Sequence, residues 1–559
     1  MFSSRLFGSL LCCLFALSSV QFTHASDDSS HETKHCKKKK YKKGEYDYII
    51  VGNGTAGAVL ARKLSDNHKN KVLVVEAGPN LSDDPVVLTP NVFSVINEIS
   101  FSPKFSITYP YTLDLGLLQN VVYSEGRMWG GSSAHNYLQA VRGTPNFWDS
   151  FAAESGDARW TYNNLLPIMK AVETYTPDGT VANPAQRGSN GPIFITQNVP
   201  VDQDSYPQAI SVATHAPLVA DYNDPTTGNT SVSTYQQFVT PGADSHRSFS
   251  SNAYLPASVV TPKGKGVGKR QLRIISNSTV SRLLFNGKIA KGIEFIKGGK
   301  QEKVKYAYAK KKIILCSGSV QTPALLQRSG IGDANHLTSL GIPVVLNNPN
   351  VGENLVNHYG AIAVLSGGTP TNSQAMINGW PFYPDDDVRR IQYLNNGGLP
   401  VNFGYGFIMN PKSRGSITIV NKDPFTDPLV DLALYSDGDV STFGTDAYTI
   451  VSFLKILQNI AAAAGEIIFS PSPDFYASDE LLLEYAASNP NLLVTSHICG
   501  TTRISPTAAT GVVDSTLHVH GVEKLMIVDL GVSPIIPDGN TCFPVYVIAN
   551  EAANILGAQ

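Results

Sequence analysis

Residues 47–76 read DYIIVGNGTAGAVLARKLSDNHKNKVLVVE and carry the clearest structural signal in the chain. An apolar run at residues 47–51 precedes a glycine-rich turn, and residues 56–64 have helical composition. A second apolar run at residues 71–75 ends at Glu76. This order predicts a strand, a turn, a helix and a second strand, as in dinucleotide-binding α/β folds.

The three glycines of the turn have separate physical roles in such a fold. Gly52 allows the tight turn, Gly54 lets a pyrophosphate approach the backbone, and Gly57 lets the helix pack closely on the strand. Free N–H groups at the start of the helix favour an anion, and a carboxylate after the second strand accepts hydrogen bonds from a ribose. The predicted nucleotide contacts are Gly52, Gly54, Thr55, Ala56, Gly57 and Glu76. The motif alone does not distinguish NAD from FAD.

Length and composition limit the broad class of protein. The chain has 559 residues, of which 42% are hydrophobic, so it suits two or three domains with a substantial core. Its net charge of −2 gives no reason to expect a nucleic-acid partner. The chain has no Gly-x-Ser-x-Gly motif, so a serine hydrolase has no support.

The first 45 residues have the composition of a targeting segment. Arg5 precedes a short apolar core at residues 10–17, and Ala25 is a small residue at a plausible cleavage site. We therefore expect residues 1–25 to be a signal peptide, with a membrane anchor as the alternative, and residues 26–45 to be a disordered basic leader. The protein is expected to be secreted or periplasmic and to have no transmembrane segment.

Several further motifs occur in a fixed order along the chain. They read GRMWGGSSAHN at residues 126–136, ILCSGSVQTP at residues 314–323, GENL at residues 352–355 and SHICGTTR at residues 496–503. Together with the first motif they resemble the glucose–methanol–choline (GMC) flavoprotein oxidoreductases, and the match runs from about Tyr46 to the C-terminus. The resemblance favours FAD as the cofactor.

The resemblance implies an α/β protein, α+β overall, with a Rossmann-like FAD-binding domain and an inserted, sheet-containing substrate domain. The FAD-binding domain is expected at residues 46–159, 236–349 and 491–559, and the substrate domain at residues 160–235 and 350–490. Residues 160–235 are rich in Pro, Asn and Thr and are expected to be irregular. The apolar spacing at residues 445–463 predicts a core helix.

The same resemblance assigns cofactor contacts in the later motifs. The flavin-binding loop is expected at residues 130–136, Asp529 near the ribityl chain and Val320 on the nucleotide side. The implied contacts are Gly130, Ser132, Ser133, His135, Asn136, Val320, Asp529 and Asn540. A histidine at the place of His135 carries the flavin covalently in the choline-oxidising branch, so His135 either forms this bond or only lines the flavin pocket.

Two polar residues near the C-terminus are the candidate catalytic pair. His497 matches the family's catalytic histidine, and a histidine suits proton transfer because its ordinary pKa is near 6.5. Asn540 matches the second position of the pair, where an amide cannot take a proton but can orient an alcohol oxygen. Tyr137 is expected either to stack on an aromatic substrate or to pack in the core.

Three other residues near these motifs have simpler expected roles. Cys499 and Cys542 follow the catalytic pair by two positions each. We expect both to act as small buried hydrophobic residues, with a disulfide or a redox-sensitive pair as the alternative. His358 follows the GENL turn and is expected to be structural.

The leading hypothesis is a secreted FAD-dependent enzyme that oxidises a primary alcohol, aromatic alcohols included, to the aldehyde. Its partners are the alcohol and an electron acceptor, either oxygen or another molecule. The alternatives are a FAD-containing hydroxynitrile lyase, a fatty-acid photodecarboxylase-like enzyme and a non-catalytic flavoprotein. Residues 397–407 lack the Cys–Arg arrangement of the photodecarboxylases. The sequence predicts neither the particular alcohol nor the oligomeric state.

Overall fold

The computed structural model describes residues 44–90, 98–112, 122–177, 183–197, 205–227, 231–366, 375–381, 390–396, 402–488 and 491–558. The predicted signal peptide and nearly all of the basic leader lie outside these ranges. Residues 397–401 also lie outside, so the region compared with the photodecarboxylases is described only from residue 402.

The first large sheet contains the predicted dinucleotide-binding unit. The strand Glu45–Val51 leads into the helix Thr55–Asp66 and the strand Val72–Val75, which confirms the predicted order. The first strand pairs in parallel with Val72–Val75 on one side and with Val304–Leu315 on the other. Across the sheet the strands are Leu272–Ile275, Val72–Val75, Glu45–Val51, Val304–Leu315, Ile289–Lys297 and Ser278–Asn286, and Leu525–Ile527 also pairs with Val304–Leu315.

The second large sheet is antiparallel in the pairings that the described residues show. Across it lie Ile467–Ser470, Tyr359–Ser366, Asn402–Ile408, Arg390–Asn396, Ala375–Pro381 and Ser231–Thr234, and Leu492–Val494 also pairs with Tyr359–Ser366. Both segments assigned to the substrate domain contribute strands to this sheet. The domain boundaries themselves stay a prediction.

The expectation of irregular structure at residues 160–235 is wrong. Within this range lie Tyr162–Val172, Glu173–Pro177, Ile193–Gln197, Ser205–Thr214 and Ser231–Thr234. Composition is a poor guide here because strand formation depends on pairing with distant residues as well as on local propensity. The strand Ser231–Thr234, for example, pairs with Ala375–Pro381, far along the chain.

Smaller elements surround the two sheets. Ser416–Thr418, Leu429–Asp431, Ser106–Thr112 and Val122–Gly126 form one sheet, and Ile331–Gly332 pairs with Leu346–Asn347. The other α-helices of the described residues are Pro85–Leu88, Pro145–Ser155, Ser250–Tyr254, Gly318–Arg328, Ala334–Ser339, Asp446–Ala463, Asp479–Ala487 and Cys542–Ile555. Among the described residues, no helix is long and apolar enough to cross a membrane.

The helix Asp446–Ala463 confirms the prediction made from its apolar spacing. Thr445 caps it, since its side chain accepts a hydrogen bond from the Tyr448 N–H. Ile450, Leu454, Leu457 and Ile460 are all completely buried. This apolar stripe therefore belongs to the core beside the second sheet rather than to a binding face.

The glycine turn is packed so tightly that side chains are excluded from it. Gly52 has a φ of +96°, and a Cβ there would lie 2.4 Å from the Cys316 carbonyl oxygen. A Cβ on Gly57 would lie 2.0 Å from the Gly52 carbonyl oxygen. The first and third glycines thus have the steric roles that the motif predicts.

A buried ionic network supports the segment that follows Tyr137. The Arg142 guanidinium lies 2.5 Å from Glu173, and Arg187 lies 3.2 Å from the same carboxylate and 3.6 Å from Asp221. All four charged side chains are almost completely buried. Removing one partner would leave an unpaired buried charge, which costs about 3–5 kcal/mol in measured cases.

Replacing Gly57 with Ala should destabilise the protein by about 2 kcal/mol or more, because the new methyl group meets backbone that cannot rotate away. Thermal unfolding of the variant measures the effect. Gly299→Ala is the matched control, since nothing lies within 4 Å of a Cβ at Gly299. Equal melting temperatures for the two variants would contradict the proposed crowding.

Candidate active site

A cavity of about 750 Å³ runs along the carboxyl end of the first sheet, from the glycine turn to His497. The position agrees with the general rule that ligands of open α/β sheets bind beyond the carboxyl ends of the strands. Of the predicted site residues, the cavity is lined by Gly52, Gly54, Thr55, Ala56, Glu76, Ser132, His135, Asn136, Tyr137, His497, Asp529 and Asn540. Segments from both ends of the chain therefore meet at one wall.

Four predicted cofactor residues do not line the cavity. Gly57 packs behind the turn, and Gly130 donates its N–H to the Asn53 carbonyl oxygen at 2.8 Å. The Ser133 hydroxyl donates to the Gly130 carbonyl oxygen at 2.6 Å. Val320 is completely buried, whereas Val280 lines the cavity. These glycine and serine residues shape the cavity wall rather than face its interior.

Glu76 holds the glycine turn in place. One carboxylate oxygen accepts the Asn53 N–H at 2.7 Å and the other accepts the Gly78 N–H at 2.7 Å. Burial raises the pKa of Glu76, and these backbone donors oppose that rise. Glu76, the predicted ribose contact, therefore also stabilises the glycine turn.

These residues fit a bound dinucleotide. The helix Thr55–Asp66 starts at the cavity, and its first N–H groups favour an anion. At Gly54 the nearest atom to a Cβ would be the Gly131 Cα at 3.7 Å, so the turn and the predicted flavin loop lie side by side. The cavity extends from this turn to His497. It can therefore hold a cofactor whose nucleotide end binds at the turn and whose reactive end lies near His497.

Asp529 lies on the wall between these two ends. Its carboxylate accepts hydrogen bonds from the Gly318 N–H at 3.1 Å, the Thr322 hydroxyl at 2.6 Å and the Gly531 N–H at 3.0 Å. Burial raises its pKa to about 6, and the three donors limit that rise. The three donors therefore favour the ionised carboxylate and fix its orientation.

His497 is paired with a second histidine. Its Nδ1 lies 2.9 Å from the Nδ1 of His358, and its backbone N–H donates to the Asn357 side-chain oxygen at 3.0 Å. His358 is completely buried, and its Nε2 lies 3.2 Å from the Met409 carbonyl oxygen. The expectation that His358 is only structural misses this direct contact with the candidate base.

The contact between His358 and Met409 favours one arrangement of the hydrogens on the two rings. A carbonyl oxygen only accepts, so the His358 Nε2 facing Met409 carries the hydrogen, and the Nδ1 of neutral His358 is an acceptor. With this tautomer of His358, His497 donates from its own Nδ1. In the neutral ring this leaves the His497 Nε2 without a hydrogen and able to accept a proton.

Burial keeps both rings neutral. It lowers the pKa of His497 to about 4. It lowers the pKa of His358 well below its usual range, and the neighbouring His497 lowers it further. Because both pKa values lie well below neutral pH, both rings are unprotonated there.

Asn540 lines the same cavity as His497. Its side-chain oxygen lies 3.4 Å from the Gln392 amide nitrogen, at the long end of hydrogen-bond distances. With the oxygen facing Gln392, the Asn540 NH₂ group remains for a substrate oxygen.

His135 is held by Ser124 on the other side of the loop. The Ser124 hydroxyl donates to the Ser100 carbonyl oxygen, so it accepts from the His135 Nε2 at 3.0 Å. Burial lowers the pKa of His135 to about 4, so the ring is neutral with its hydrogen on Nε2. Tyr137 lines the cavity and is 44% exposed, which excludes complete core packing.

The two cysteines near the candidate pair are both free thiols, so the disulfide alternative is wrong. Cys499 is completely buried, and Cys542 lines the cavity. Burial raises the pKa of Cys542 to about 12, which makes it a poor nucleophile at neutral pH.

Comparison with known proteins identifies the family of this chain. The two sequence profiles of the GMC oxidoreductases match residues 46–360 and 411–549. Pyranose dehydrogenase from Agaricus campestris is 27% identical, with 92% of this chain and 93% of that protein covered. Oxygen-dependent choline dehydrogenase from Staphylococcus xylosus is 28% identical, with 92% and 95% covered.

Solved structures also share the fold. Pyridoxine 4-oxidase from Mesorbium loti superimposes with a TM-score of 0.76 at 24% identity, covering 91% of this chain and 98% of the other. A fungal aryl-alcohol oxidase superimposes with a TM-score of 0.75 at 20% identity, covering 92% and 99%.

The chain is a GMC oxidoreductase. It is therefore a FAD-dependent enzyme of the class that oxidises alcohols and similar CH–OH donors, with a Rossmann-type domain and a substrate domain. For a GMC enzyme, the contact between His358 and His497 is the feature that sequence patterns missed. The two residues are 139 positions apart, and the sequence signal was only the histidine after the GENL turn.

Two variants of His358 test its control of His497. His358→Asn keeps an oxygen acceptor near the place of Nδ1, whereas His358→Leu removes it at similar volume. We expect kcat/KM to fall by about tenfold or more in H358L and clearly less in H358N, because only part of His497 then has a free Nε2. Equal losses in both variants at equal melting temperatures would contradict this role.

Proposed function

We propose that this GMC enzyme oxidises a primary, aromatic alcohol to the aldehyde, with His497 as the base and Asn540 orienting the alcohol oxygen. The observation that supports the proposal is the His358–His497 contact, which leaves the His497 Nε2 as an acceptor in a cavity that Asn540 also lines. Secretion and the domain boundaries belong to the same proposal.

The reaction needs a proton acceptor and a hydride acceptor. Bound FAD supplies the hydride acceptor, the flavin N5. His497 takes the hydroxyl proton on Nε2, while its Nδ1–H stays bonded to His358. The Asn540 amide donates to the alcohol oxygen and holds the carbon in position. A positioned base of this kind contributes about 10²–10⁴-fold to the rate.

Aromatic side chains on the wall of the same cavity favour a flat apolar substrate. Phe101, Tyr137 and Phe407 line the cavity together with His497. Aromatic rings recognise aromatic ligands through stacking and edge contacts. The names of two structural neighbours, pyridoxine 4-oxidase and aryl-alcohol oxidase, are consistent with an aromatic alcohol.

Anaerobic mixing of the yellow enzyme with alcohols tests the function directly. A benzylic alcohol should bleach the flavin absorbance, faster than an aliphatic alcohol, a sugar or choline. His497→Ala should slow bleaching by about a hundredfold or more, because it removes the base. In the wild-type enzyme kcat/KM should stay level well below pH 6.5 and fall near pH 4, where His497 becomes protonated.

The controls separate this function from its alternatives. Asn540→Asp tests orientation with a near-isosteric side chain, and Cys542→Ala tests a cavity residue without a proposed role. Cleavage of a cyanohydrin without bleaching would favour a hydroxynitrile lyase. A loss below tenfold in H497A would rule out His497 as the base.

Acid precipitation tests how the cofactor is attached. Because the His135 Nε2 is already engaged by Ser124, we expect non-covalent FAD, with the yellow colour in the supernatant. Colour that stays in the pellet of the wild-type protein and is lost from that of His135→Ala would instead show a covalent bond through His135.

A further inference from the structure

A second acidic residue faces the cavity close to Asp529. Glu125, in the strand Val122–Gly126, lines the cavity, and one of its carboxyl oxygens lies 3.5 Å from the place of a Cβ on Gly318. Asp529 accepts the N–H of the same Gly318. Two carboxyl groups therefore approach the start of the helix Gly318–Arg328 from the cavity side.

Glu125 also stands beside the segments that form the cofactor cradle. The N–H of the next residue, Gly126, donates to the Ser132 hydroxyl at 3.2 Å. A Cβ on Gly126 would lie 2.4 Å from the Gly131 carbonyl oxygen, and a Cβ on Gly131 would lie 2.8 Å from the Gly54 Cα. The acid pair thus lies on the wall that joins the flavin loop to the phosphate-binding turn.

The two carboxyl groups accept different numbers of hydrogen bonds, so a negative charge is stabilised less well on one of them. Asp529 accepts three hydrogen bonds, from Gly318, Thr322 and Gly531. Glu125 accepts one, from the Tyr123 hydroxyl at 3.1 Å. When like charges share a site, the proton goes to the group whose charge is less well solvated, which here is Glu125.

The electrostatics agree with this assignment. Burial raises the pKa of Glu125 to about 8, the Tyr123 hydrogen bond opposes the rise, and the charge of Asp529 adds to it. Among the described residues, five titratable groups surround Glu125. They are Tyr123 on the same strand, Arg127 just after that strand, Tyr109 on the neighbouring strand, Arg328 on the helix and Asp529 on the turn.

We propose that Glu125 binds the cofactor as a neutral acid, its O–H donating to an oxygen of bound FAD, and that loss of this proton at alkaline pH weakens FAD binding. The proposal rests on FAD as the cofactor. Ionised Glu125 would place a second negative charge beside Asp529 and an anionic dinucleotide, whereas the neutral acid supplies a hydrogen-bond donor.

Release of FAD as a function of pH tests the proposal without measuring turnover. Holoenzyme is equilibrated between about pH 7 and about pH 9 and filtered, and free FAD is measured by its fluorescence. For the wild type we expect the apparent Kd to rise above pH 8, by up to about tenfold per pH unit. Glu125→Gln should bind within about threefold of wild type at pH 7 and show no rise, since its amide donates but cannot ionise.

Asp427→Asn is the matched control, since Asp427 is another carboxylate on the cavity wall. It should keep the wild-type rise of Kd with pH. An equal rise in E125Q would overturn the proposal, whereas a wild-type protein without FAD would instead contradict FAD as the cofactor.

Infrared difference spectra between the same two pH values give a second readout. The wild type and D427N should lose a protonated-carboxyl band on going to high pH, and E125Q should not. Absence of that band from the wild type would also overturn the proposal, and this measurement holds whether or not FAD leaves the protein.

Discussion

The contact between Gly52 and the end of the strand Val304–Leu315 is the constraint on which the site depends. A Cβ on Gly52 would overlap the Cys316 carbonyl oxygen, so the two chains meet with no side chain between them. This approach sets Gly318 and Asp529 beside the glycine turn, because Gly318 lies three residues after the end of that strand and donates its N–H to Asp529. Cofactor contacts from three distant segments follow from one backbone contact.

Local patterns in the sequence predict much of this arrangement. The strand, turn and helix at residues 45–66 follow from apolar runs and glycine spacing, and the helix Asp446–Ala463 follows from its apolar stripe. His497 and Asn540 were expected at one site, and both line one cavity. These signals are short in range, or occur as motifs that can be recognised without the fold.

Other features depend on tertiary contacts that no local pattern encodes. The strand Ser231–Thr234 forms against Ala375–Pro381, so a stretch rich in Pro, Asn and Thr is ordered by a distant partner. His358 contacts His497 across 139 residues, and Val280, not Val320, reaches the cavity. The neutral state of His497 likewise comes from burial, which only the packed structure creates.

The strand pairing also has a consequence for biosynthesis. The strand Glu45–Val51 pairs with Val304–Leu315, which pairs in turn with Leu525–Ile527. The cavity wall further needs His497, Asp529 and Asn540. Nearly the whole chain must therefore be synthesised before the cofactor site is complete. Until residues 304–315 have been synthesised, the strand Glu45–Val51 has one unpaired edge. Cofactor capture is thus a late event that can act as a final check on a correctly folded chain.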